Sequence, residues 1–406
     1  MSAHRRTVRV LVASQVLGGV GVASGIAVGG LLAEQVSGST SLSGLAQTAS
    51  VLGAALLAVP LARLAARSGR RVALAAGYGA GLAGAALAVL AASTGTFWLL
   101  LAGTLLFGGA TAANLQARYA ATDDAPAAVR ARSLSVVVWA TTVGAVAGPN
   151  LSGVGGRVGE AVGVPSLAGP YLFSVLSFVS AAAVIGLMLG HRRPPGGAVE
   201  SGARPSVATA LRAVVAEPRA RLGLAAVATA HAVMVGVMVM TPVHMGHGGA
   251  SLQVVGIVIS AHVAGMYAAS PLMGWLTDRA GRVPAITIGV GLLLCSLLVG
   301  GFGGAGDHAR VGVALTLLGL GWSCCLVAGS TLVSESVPET VRTSVQGASD
   351  LVMGIAGASA GALAGPVLAT AGYPTLTLGA SLLLVPVVVL VLLLSRARVP
   401  AERTPV

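Results

Sequence analysis

Runs of about twenty consecutive apolar residues recur along the whole chain, and no other feature constrains its fold so tightly. A helix rising about 1.5 Å per residue needs roughly 20 residues to cross hydrocarbon about 30 Å thick. Twelve such runs can be counted in the 406 residues. In lipid every backbone N–H and C=O must find its partner within the protein, so each run is predicted to be a helix. The runs are continuous rather than alternating, which argues against a β-barrel. With 55% hydrophobic and 9% charged residues, the chain lacks the polar surface of a soluble domain. The expected fold class is an all-α membrane protein of twelve transmembrane helices.

Charge gives the orientation. All 24 basic residues are arginine, clustered in the short links between runs. With the amino terminus inside, 22 of them fall on the cytoplasmic side, leaving Arg157 and Arg310 outside. This is the positive-inside pattern, and with an even number of spans it places both termini in the cytoplasm. The net charge of +12 is thereby explained by topology and by anionic headgroups, with no nucleic-acid partner implied. Cys295, Cys324 and Cys325 all fall in predicted spans and read as small packing residues, without zinc-type spacing.

The chain also repeats itself at an offset of 212 residues. Arg67, Gly69 and Arg70 recur as Arg279, Gly281 and Arg282, and Pro126 and Arg130 recur as Pro338 and Arg342. The Gly148-Pro149 step recurs as Gly365-Pro366, five residues beyond the offset. Six spans separate equivalent points, so the repeats share one orientation and predict two six-helix bundles related by an axis along the membrane normal. The expected division is residues 1–190 for the first bundle, 191–220 for a cytoplasmic linker rich in proline and glycine, and 221–406 for the second bundle.

Chemistry concentrates in residues 231–266. Six of the nine methionines and four of the seven histidines lie in or just after this stretch. Met234 and Met238 are four apart, as are His262 and Met266, so each pair shares a helix face, and His231 joins the first stripe. Thioether sulfur with imidazole is the ligand set that selects copper, Cu(I) above all, over magnesium or calcium. A lone methionine is ordinarily apolar filler, but a histidine within a span is costly and marks a functional position. The equivalents 212 residues earlier are Val22, Ile26, Ser50 and Ala54, so packing alone does not call for these ligands. Met240, His244, Met245 and His247 follow towards the external link as a metal entry, and Met234 and His262 are expected to meet near the midplane.

The segment Gly274–Arg282, GWLTDRAGR, resembles the G-x-L-x-D-R-x-G-R loop signature of the major facilitator superfamily, and the first half carries a degenerate copy at the repeat offset. The resemblance spans the chain and implies the fold of that superfamily, with Asp278, Arg279, Gly281 and Arg282 as a gating loop. The first copy departs from the pattern, with Ala66 at the acidic position, which leaves Asp278 to carry the charge network alone. The paired M-x-x-x-M and H-x-x-x-M motifs resemble those of the CcoA-type copper importers, a bacterial branch of the same superfamily. That likeness implies secondary active copper import across the bacterial cytoplasmic membrane, with copper as substrate and no resident cofactor. Asp350, in the eleventh span, is a candidate proton-coupling acid. The alternative within the transporter class is a proton-coupled exporter of a small organic or drug-like molecule, although aromatic residues make up only 3% of the chain. A copper redox enzyme would need a second substrate site, and no catalytic carboxylate pair or activated nucleophile is visible. A receptor would need a ligand domain. A monomeric transporter rather than an enzyme is the expectation.

Overall fold

A computed structural model describes residues 2–120, 127–190, 207–302 and 306–396, which are helical with no strand among them. Pro126, most of the expected linker (191–206) and the basic tail beyond residue 396 lie outside the described residues. The first half comprises α1 (Ser2–Ser37), α2 (Leu45–Ser68), α3 (Arg70–Thr94), α4 (Phe97–Ala120), α5 (Ala127–Asn150), the short α6 (Ser152–Ala161) and α7 (Gly169–Met188). The second comprises α8 (Val207–Ala216), α9 (Pro218–His247), α10 (Leu252–Tyr267), α11 (Ser270–Ala280), α12 (Arg282–Gly301), α13 (His308–Glu335), α14 (Glu339–Ala380) and α15 (Val385–Arg396).

Among the described residues ten helices are long and apolar enough to cross a membrane, against the twelve spans expected. The eleventh and twelfth expected spans run on as one apolar stretch, 347–394, interrupted by non-helical backbone at Gly372. The fifth is α5, a 24-residue helix that is not among the ten. The eighth is divided into α10 and α11, and the chain re-enters helix with Pro271 in the first turn of α11, where a missing N–H costs nothing.

Two large hydrophobic cores organise the described residues, with a smaller third one where α8 packs on α9, α13 and α14. One large core is built from residues between Val10 and Leu189, joined by Leu252 on its edge, and the other from Leu222 to Val387 with Ala27. The 212-residue repeat is visible in their packing. Gly77 lets α3 approach Gly109 and Ala113 on α4, and Gly289 lets α12 approach Gly321 and Cys325 on α13, the same crossing one repeat later. At the arginine-rich links, Gly69 (φ 87°, ψ 162°) and Gly281 (φ 93°, ψ 162°) share one backbone conformation, which a side chain would strain.

The halves meet on the side away from the arginine-rich links. Gly44, before α2, lies against the Gly361 carbonyl of α14, Gly365 against the Ser41 carbonyl, and Gly256 of α10 against the Pro149 carbonyl of α5. Hydrogen bonds cross at the same level: Thr48 Oγ1 donates to the Ala358 carbonyl (3.1 Å), Asn150 Nδ2 to Ser260 Oγ (2.7 Å), and Ser260 Oγ to the Val146 carbonyl (2.8 Å). Small residues permit backbone approach, and in an apolar medium such packing and hydrogen bonding replace the hydrophobic drive. This far side is therefore shut.

Candidate functional site: a methionine and histidine path along α9 and α10

His262 is fully buried on α10, and its Nδ1 lies 2.7 Å from the Leu315 carbonyl of α13. A carbonyl oxygen only accepts, so Nδ1 carries the proton and Nε2 keeps its lone pair. That Nε2 is buried with no hydrogen-bond partner. Metal-binding histidines are commonly held in this way, one ring N–H anchored to a carbonyl and the other nitrogen free. One turn on, Met266 is buried beside it, and Gly319 of α13 lies against the His262 carbonyl and the Met266 amide. In the first half Gly108 lies in the same way against Ser50 and Ala54. The crossing thus forms equally well without histidine or methionine.

On α9, Met234 is buried and Met238 half-buried, both packed in the second core. His231 is half-buried and accepts at Nδ1 from the indole N–H of Trp322 on α13 (3.1 Å). The two ligand strings are not laid side by side. α9 packs mainly on α14 and next on α13, α10 packs mainly on α13, and α9 and α10 touch each other little, so the expected meeting of Met234 with His262 becomes a relation through α13. Among the described residues no three His, Cys, Asp or Glu side chains converge where an ion could be held. What the path offers is single imidazoles and thioethers in series.

The four entry residues differ from an open mouth. Met240 and Met245 are fully buried, and Met240 Sδ accepts from Ser43 of the first half (3.3 Å). His244 is stacked on Tyr373, ring centroids 4.1 Å apart and planes 6° from parallel, and its buried Nε2 has no hydrogen-bond partner. His247 alone of the four is exposed, and its Nε2 meets Glu34 of α1 at 2.9 Å. Contact with the first half covers Met240, whereas Met245 and His244 are buried within the second half itself. One further imidazole escaped sequence reasoning: His308, at the start of α13, has a buried Nδ1 with no hydrogen-bond partner. Its distance in sequence from the Met/His stretch hid it.

At the arginine-rich side, Arg282 forms a two-point bond with Glu335 (Nε 3.0 Å, Nη2 2.7 Å) and a longer pair with Asp278 (3.6 Å). Arg279 lies over the Trp275 ring, 5.6 Å from its centroid. A profile of the Major Facilitator Superfamily matches residues 10–358 and 245–406. The chain belongs to the Major Facilitator Superfamily. It is 39% identical to the MFS-type transporter YdeG of Bacillus subtilis, over 96% of this chain and 92% of that one. It is 30% identical to the riboflavin transporter RfnT of Brucella anthropi, over 96% and 95% respectively. In fold it is similar to a bacterial homologue of the human lysosomal transporter Spinster, solved inward-facing and unoccupied, with a TM-score of 0.78, 16% identity and 97% of each chain covered. The nucleoside transporter NupG is comparable at a TM-score of 0.75 and 15% identity, covering 97% of this chain and 100% of that one.

As a superfamily member the protein is a multi-pass secondary transporter of a small-molecule substrate. Its signature loop is more fully paired than the motif alone suggested. Asp278 is exposed and Glu335 is the closer partner of Arg282. The repeat held a hint, because Glu335 lies 212 residues after Asp123, itself outside the described residues. Asp350 sits on an exposed part of α14. Cys324 and Cys325 are buried, their Sγ atoms directed at the Ala285 and Ile286 carbonyls of α12 (3.1 and 3.9 Å). Cys325 takes the place that Ala113 holds in the first half, a packing role.

Proposed function

We propose that the protein imports copper across the bacterial plasma membrane, with its arginine-rich side and both termini in the cytoplasm. On that orientation the far-side closure is the inward-facing arrangement of the transport cycle. The observation that carries the copper reading is His262: a fully buried imidazole, anchored at Nδ1, with a lone pair at Nε2 and no partner. Burying such a group costs free energy unless something binds it. Met266 on the next turn and Met234 and Met238 on α9 supply soft, neutral donors suited to Cu(I). Weak ligands in series suit transport, since an ion must leave each site as readily as it enters. Asp350 is assigned the coupling proton, and Asp350→Asn should flatten the pH dependence of uptake. The deciding experiment is copper accumulation by cells carrying the wild-type protein or the Met234→Ala/His262→Ala double variant at equal membrane levels. Loss of accumulation in the variant supports the path, and normal accumulation refutes it.

A second reading has one observation in its favour. The relative at 30% identity is named a riboflavin transporter, and Trp322, Tyr267 and His231 form an aromatic group on which a flat heterocycle could stack. Uptake of labelled riboflavin that copper does not affect, alongside unchanged copper accumulation, would favour it.

A further inference from the structure

Trp322 stands between the two ligand strings. Its indole N–H donates to His231 Nδ1 of α9 (3.1 Å), and its ring meets the edge of Tyr267 of α10, centroids 5.8 Å apart at 75°. Tyr267 directly follows Met266. The indole nitrogen can only donate, so Nδ1 of His231 must accept, and a neutral imidazole then carries its proton at Nε2. Neither nitrogen of His231 has a lone pair to give. The Nε2 edge of the ring faces the backbone of α14 at Gly357, where an added Cβ would lie 2.6 Å from Cδ2 and 2.8 Å from Nε2. The ring is held between an indole donor on one side and a helix without a side chain on the other.

We propose that Trp322 is a positioning residue that withdraws His231 from the copper path in this conformation, so that the ion loses its innermost imidazole when the far side is shut. The inference rests on the copper reading above and adds how the ion is let go. A transporter that kept all its soft ligands engaged on the release side would hold Cu(I) too tightly to turn over. Masking one lone pair with a hydrogen bond lowers affinity without moving a helix. The bond joins α9 to α13, so a shift of α9 against α13 on opening the far side would break it and return His231 to the path.

The test uses the purified full-length protein titrated with Ag(I) alone, a redox-inert stand-in for Cu(I). Trp322→Phe keeps an aromatic ring and removes the N–H. It should bind Ag(I) at least tenfold more tightly than wild type, and copper delivery to the cytoplasm should slow. Adding His231→Gln should return the affinity to the wild-type value. An unchanged affinity in Trp322→Phe, or a gain that survives loss of His231, overturns the proposal. Nitrogen-15 NMR of labelled histidine in the wild-type protein needs no variant and should find His231 protonated at Nε2 and bare at Nδ1. The opposite tautomer overturns it. Absence of Ag(I) binding by wild type would instead sink the copper reading itself, so the two failures are distinguishable.

Discussion

Gly44 and Gly256, 212 positions apart, each hold a helix of one half against the backbone of the other: Gly44 against Gly361, Gly256 against Pro149. The two contacts are related by the internal repeat and lie on the same side of the molecule. Neither leaves room for a Cβ. Gly44→Val and Gly256→Val should therefore disfavour far-side closure, by about 1–3 kcal/mol for each overpacked contact. The closed-to-open ratio should fall by roughly 5- to 150-fold at those energies. A cysteine introduced at Glu34, on the far side, should label faster in both variants. Unchanged labelling would show that the contact does not hold the gate.

Met245 separates core from ligand. It is fully buried in the second core, so Met245→Ala should lower stability, by about 2–5 kcal/mol if the cavity does not collapse. Met245→Leu, similar in volume, should restore stability and transport together. If Met245→Leu restores thermal stability but not uptake, the sulfur is needed in its own right.

Gly281 and Gly69 set the sharp turns between paired helices at the arginine-rich side. Backbone near φ 90°, ψ 162° is essentially a glycine conformation, and strain there costs on the order of 1–3 kcal/mol per residue. Gly281→Ala and Gly69→Ala should each lower the thermal unfolding temperature. Equal unfolding temperatures for wild type and both variants would contradict these turn geometries.

Arg282 and Glu335 make a planar two-point contact that lysine cannot reproduce. Arg282→Lys should impair transport nearly as much as Arg282→Ala, while Asp278→Asn, at the longer pair, should be milder. High salt should weaken the wild-type contact, because both partners are partly exposed. A fully active Arg282→Lys variant would place the role in charge alone.

The sequence by itself determined the class, the spans' approximate positions, the repeat and the residues worth testing. It could do so because a bilayer enforces local rules: a span must satisfy its own backbone, and a turn such as Gly281 needs glycine whatever surrounds it. The tertiary structure decided how those residues are used. It placed α13 between α9 and α10, buried Met240 against Ser43 of the other half and Met245 in the second core, gave Arg282 to Glu335, and tied His231 to Trp322. Spans of alanine, glycine, leucine and valine carry little pattern to mark which face meets which neighbour. In lipid that choice rests on small-residue contacts and a few hydrogen bonds between segments far apart in the chain, which no local period records.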